Sequence, residues 1–136
     1  MVSVPLEDID EEWKEIWKSE YLKTISACHN TAGGRFIGGR RDDGAFGGVQ
    51  DVKGTLKSVS DSIQNVLGIS ATVRSQTFDD KVCIVVDVPV GRNKIDYDGR
   101  FYKRVGNTTH LIRHEELSDI IAEERKTFWM DESSGQ

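Results

Sequence analysis

The chain has 136 residues, 37% apolar and 30% charged, which suits one globular domain with a core large enough to fold alone. No run approaches the ~20 apolar residues of a membrane span, and Met1 to Pro5 lead into acid rather than into a signal peptide's hydrophobic stretch, so a cytoplasmic chain with no membrane partner is expected. The net charge of −5 is unevenly spread: residues 1–21 hold two Lys against seven Asp/Glu, residues 114–136 hold two Lys/Arg against seven, and the span between is basic. A basic centre suits a polyanion, while solvated acidic helix faces account for the two ends.

In chain order, Glu7 to Asn30 reads as helix, because Ile9, Trp13, Ile16, Trp17, Tyr21, Ile25 and Cys28 recur at three- and four-residue steps. The acids Glu7, Asp8, Asp10, Glu11 and Glu12 then sit where the helix dipole favours negative charge. Asn30 with Gly33 and Gly34 supplies the stop. Seven of the 13 glycines crowd between Gly33 and Gly48. They predict backbone that turns sharply or lies against something, either a neighbouring strand or a ligand. Phe36-Ile37 and Ala45 to Val49 read as two short strands of a hairpin closed by Asp42-Asp43-Gly44.

Asp51 to Leu67 is the second predicted helix, ended by Gly68. Strands at 69–78 and 81–90 are joined by Asp79-Asp80, and the apolar run Val82 to Val88 predicts a central position. Gly91 to Asp98 reads as an exposed loop, Arg100 to Val105 as a strand turning at Gly106-Asn107, and Glu115 to Phe128 as a helix with Leu117, Ile120, Ile121 and Phe128 inward. A polar tail, 131–136, follows the domain at 1–130. The expected fold is α/β (α+β): one domain, a mixed and mostly antiparallel sheet packed with about three helices.

Cys28 and Cys83 lie among apolar neighbours outside any Cys-x-x-Cys pattern, so two buried reduced thiols are expected. Gly48 to Thr55 approaches the phosphate-binding loop, but its Lys53 and Gly54 stand in exchanged order, so the similarity reads as chance. His110 and His114 stand one helical turn apart without a third ligand pattern. Carboxylates near basic residues are the stronger lead. Divalent-metal phosphodiester cleavage needs two or three carboxylates on Mg²⁺ or Mn²⁺ and cations on the backbone. Glu7, Glu12 and Asp42 meet that need if the first helix lies beside the 42–44 turn. Arg35, Arg40, Arg41, Lys103 and Arg104 are candidate phosphate contacts, and Phe101 or Tyr102 a stacking platform.

Several short stretches, in order, resemble the Schlafen/AlbA-like domain. They are Glu12-Trp13-Lys14, Glu20 to Lys23, Asn30-Thr31-Ala32-Gly33-Gly34, Asp42-Asp43-Gly44 with Gly48-Val49, and Tyr102-Lys103-Arg104-Val105-Gly106-Asn107-Thr108-Thr109. The match runs from about Glu7 to Trp129. It departs at Ala27-Cys28-His29, where the family has Ala-Phe-Ala, and at Arg40-Arg41. The resemblance implies a compact nucleic-acid-binding domain of transcriptional-regulator-type proteins, often followed by a winged helix, in a family once labelled a divergent ATPase. It also implies, from Schlafens that cleave structured RNA, a metal-holding catalytic set at Glu7, Glu12 and Asp42, with Asp43 replacing Asp42 if the turn slips by one. Gly33, Gly34 and Gly44 are the implied ligand-contacting backbone. Three other readings stand beside DNA or RNA binding: an endoribonuclease using Mg or Mn, ATP or nucleotide binding at the glycine cluster, and a homodimerising interaction domain.

Overall fold

The computed structural model describes residues 11–134, with side chains described as far as Lys126. Glu7, and the inward side chain expected at Phe128, lie outside the described residues. The described chain is a single α+β domain of three helices and two mostly antiparallel sheets. The first sheet has four strands: β1 (Glu11–Lys14), β2 (Gly34–Gly38), β4 (Lys81–Val88) and β3 (Thr72–Phe78), in that spatial order. The β1–β2 pair is parallel and the other two are antiparallel. The second sheet joins β5 (Asp96–Tyr97), β6 (Arg100–Val105) and β7 (Thr108–Leu111).

The opening segment corrects the helical reading over residues 11–21. Glu11–Lys14 is a strand, a 3-10 turn follows at Ser19–Tyr21, and helix α1 spans only Leu22–Asn30. Trp13, Ile16 and Trp17 have helical spacing, but pairing with a distant strand overrides it. Trp13 is buried beside Ile37, Cys83 and Val85 on one face of the sheet, whereas Ile16 is 56% exposed and Trp17 packs on the opposite core. One apolar stripe therefore never forms.

Helix α1 ends where expected, with Gly33 at φ +76° and its N–H on the Cys28 carbonyl at 2.7 Å. A Cβ at Gly33 would sit 2.7 Å from the Val88 carbonyl oxygen, so the turn and the close strand both require glycine. Helix α2 (Val52–Ser62) starts on Asp51, whose carboxylate accepts the Gly54 N–H at 3.0 Å, and closes through a π-helical turn at Ile63–Leu67 before Gly68 at φ +67°. Asp79 and Asp80, at φ 50° and 64°, make the tight β3–β4 connection. The run Val82 to Val88 is central, as expected, with β2 on one side and β3 on the other.

Further expectations are corrected. Residues 45–49 do not form a second strand; a single bridge joins Arg40 to Phe46. The stretch 91–98 is no plain exposed loop, because Ile95 is half-buried and Asp96–Tyr97 adds to β6. Helix α3 (His114–Ser134) runs past the expected end at Phe128, and Ile121 is 42% exposed rather than inward.

The main core packs α1, α2 and one face of the first sheet around Ile25, Phe36, Val59, Ile63, Ile84 and Val86. Trp13, Ile37, Cys83 and Val85 form a smaller cluster on the other face with Phe46 and Phe78. Both cysteines are buried and outside any disulfide, as their neighbours implied. No helix among the described residues is long and apolar enough to cross a membrane.

Candidate nucleic-acid interface

The folded chain distributes the predicted site residues unevenly. Glu12, on β1, is 9% exposed and accepts a hydrogen bond from Arg104 Nη2 at 2.7 Å, with Lys14 Nζ at 3.4 Å from its other oxygen. Arg104, on β6, is itself 8% exposed, donates from Nη1 to Thr109 at 2.8 Å, and has its backbone N–H on Thr31 Oγ1 at 2.9 Å. This pair closes the second sheet onto the first. Asp42 is exposed in the turn beyond β2. Among the described residues no group of three His, Cys, Asp or Glu could hold a metal ion. Glu12 is already occupied by a guanidinium and an ammonium, and Glu7, the third acid of the expected set, lies outside the described residues. The His110–His114 pairing also dissolves, since His110 lies in β7 and His114 opens α3.

Arg40 is 7% exposed and held inside the molecule. Its guanidinium lies 3.9 Å from the Trp13 ring centre and 4.4 Å from that of Phe46, which stacks on Phe78 at 4.5 Å. Nε donates to the Gly44 carbonyl at 3.0 Å, and Glu11 lies 3.6 Å away. Arg40 therefore ties the 41–46 turn to the small core, and Gly44 serves that tie. Arg35 donates to Asp87 at 2.7 Å, and Arg74 bonds the other Asp87 oxygen. Burial pushes the Asp87 carboxyl up, but the bonds and charges of the two arginines outweigh it and hold the group below its usual range. Lys103 donates to both Glu116 oxygens at 2.9 Å. Arg41 differs: its side chain is 52% exposed and its contact with the still more open Asp43 is 3.6 Å.

The glycine cluster serves close backbone crossings as well as turns. At Gly39, φ is +104° and an added Cβ would meet Gly48 at 3.0 Å and Cys83 Sγ at 3.2 Å. Gly33 and Gly34 lie against β4. The loop that Gly39 and Gly48 draw together walls a cleft of about 650 Å³. Glu15, Ile16 and Trp17 form one side, Arg41 and Gly47 to Asp51 another, and Gly54, Thr55 and Ser58 of α2 the third. Its size falls in the range of ligand sites, ~300–1,000 Å³. Trp17 is held there edge-on to Phe36 at 5.6 Å and to Tyr21 at 6.2 Å.

Most of the stretch resembling a phosphate-binding loop lines this cleft, but Asp51 caps the Gly54 amide and already supplies negative charge at the start of α2. Sequence reasoning missed Trp17, Gln50, Thr55 and Ser58 as lining residues. The one available signal was the second half of the glycine cluster, Gly47-Gly48.

The sequence of this two-sheet domain matches the model of the Schlafen, AlbA_2 family over residues 7–113, and the chain belongs to that family. Among solved structures, the DIP2311 protein from Corynebacterium diphtheriae is similar with a TM-score of 0.60 at 16% identity, covering 76% of this chain and 22% of that one. That likeness is one of fold, and the chain spans under a quarter of that protein's crystallised length. No curated protein matches the chain.

Proposed function

We propose that the domain is the nucleic-acid-binding part of a transcriptional-regulator-type protein and takes a single-stranded stretch into the cleft between Trp17 and the Gly47–Asp51 loop. Membership of the family supports the class. The observation that carries the site is that Arg41, the most open of the five candidate phosphate contacts, shares the cleft with an aromatic ring fixed by packing. A base stacked on such a ring contributes ~1–3 kcal/mol, and a phosphate at Arg41 adds a salt-sensitive term. The Asp51 cap disfavours a nucleotide triphosphate at the head of α2, so ATP is the weaker ligand on this reading.

The test is titration of labelled single-stranded RNA and DNA at two salt concentrations, with excess ATP as competitor. Binding weakens with salt, Arg41→Gln lowers affinity and reduces the salt slope by about 1, and Glu15→Gln, which removes an acid from the cleft, raises affinity. Absence of binding, or binding indifferent to Arg41→Gln, refutes the site. Displacement by ATP points instead to a nucleotide pocket.

A further inference from the structure

Strand β3 ends the first sheet. It pairs with β4 along its whole length, from Thr72 opposite Asp87 to Phe78 opposite Lys81, and among the described residues no strand pairs with its other edge. An open edge of that length invites another strand, and natural sheets guard such edges with proline, bulges or outward charge. Here the register is unbroken, no proline occurs, and Thr72, Ser75, Gln76 and Thr77 are exposed. The one charged residue of β3, Arg74, is drawn back onto Asp87 of β4 and onto Gln76 Oε1 at 3.1 Å. The edge is therefore left without its usual guard.

We propose that this edge is a homodimer interface, in which β3 of a second copy of the chain pairs antiparallel about a two-fold axis at Ser75 and joins two four-stranded sheets into one. The pattern of the strand selects that register. Residues facing each other across such an axis project from the same side of the sheet. Val73, Ser75 and Thr77 share the side of Val86, Ile84 and Val82, and Thr72, Arg74, Gln76 and Phe78 share the other. An axis at Ser75 engages all seven residues. It sets Val73 against Thr77, Thr72 against Phe78, and Arg74 against the neutral, hydrogen-bonding Gln76. An axis at Arg74 would bring two guanidinium groups face to face. One at Gln76 would leave Thr72 and Val73 opposite the turn residues Asp80 and Asp79. The strand thus pairs with its own copy over its full length and without like charges facing each other in this register alone of the three.

The edge also borders a notch of about 260 Å³ lined by Ser60, Ile63, Gln64, Ile69, Ala71 and Val73. Thr77 of the second copy, opposite Val73, covers its mouth, so pairing buries apolar surface as well as forming backbone hydrogen bonds.

Sedimentation velocity over a concentration series tests the proposal, with the expected species at twice the 15.3 kDa chain mass. Gln76→Arg puts a like charge opposite Arg74 at two symmetry-related places and weakens the dimer about tenfold, whereas Gln76→Glu does not weaken it. Hydrogen exchange on the unmodified protein gives an independent reading: amides of β3 slow as concentration rises. A monomer at all concentrations up to ~0.1 mM, a dimer indifferent to Gln76→Arg, or exchange in β3 independent of concentration overturns the proposal.

Discussion

Replacing Glu12 by Gln removes one charge and almost no volume from the contact between the two sheets. The carboxylate and the Arg104 guanidinium meet at 2.7 Å with side chains only 11% and 5% exposed, so water replaces little of what is lost. Arg104 keeps its bond to Thr109, but its Nε is already buried without a partner, and among the described residues no other carboxylate bonds the charge left behind. Breaking a buried pair costs ~3–5 kcal/mol. The amide oxygen of Gln still accepts one hydrogen bond, which brings the expected loss to ~2–3 kcal/mol. At roughly 3 °C for each kcal/mol in a chain of this size, the thermal midpoint falls by about 8 °C. Urea unfolding of the wild type, Glu12→Gln, Arg104→Met and the double variant forms a complete cycle. The two single losses do not add, because both remove the same contact. A Glu12→Gln protein within ~0.5 kcal/mol of the wild type would refute the reasoning and leave Glu12 as a residue the fold does not need, as a purely catalytic acid would be.

Two other outcomes follow from single contacts. Burial holds His29 below its ordinary 6.5; the backbone of Asn93 and Pro89 pulls the other way, and the Lys94 charge adds to the lowering. The unfolded chain therefore binds this proton first on acidification, so stability is steady above about pH 7 and declines as pH falls through 6.5 towards the folded-state value; His29→Gln flattens the slope in urea titrations between about pH 7 and 5, and an unchanged slope contradicts the assignment. Asn30→Ala strips the partners from the Ile95 N–H and from the carbonyls of Ile95 and Tyr102, now bonded at 2.8–2.9 Å, and costs ~3 kcal/mol with faster amide exchange at Ile95; a loss below ~1 kcal/mol shows that water replaces the side chain.

Much of this architecture is written locally. Asp51 and Gly68 bound α2 because a capping carboxylate and a left-handed residue act within one helical turn. The Asp79-Asp80 connection and the apolar run to Val88 announce a hairpin with a central strand for the same reason. The glycine cluster marked where backbones crowd, and Gly33 shows why no other residue fits. The motifs, taken in order, carried the family.

What the chain did not disclose locally depends on partners far away in sequence. Trp13 and Trp17 keep helical spacing, yet parallel pairing with β2 puts Trp13 in the smaller core, and Trp17, beyond the end of β1, packs on the main one. Asn30 reads as a helix stop but bonds to residues some seventy positions onward. Arg40, Arg41 and Arg104 look alike in a list of cations. Folding places the first between two aromatic rings, pairs the third with a carboxylate 92 positions away, and leaves the second open on a cleft. Charge can be counted from residues alone, but whether a charge reaches solvent depends on what packs around it, and only tertiary contacts decide that.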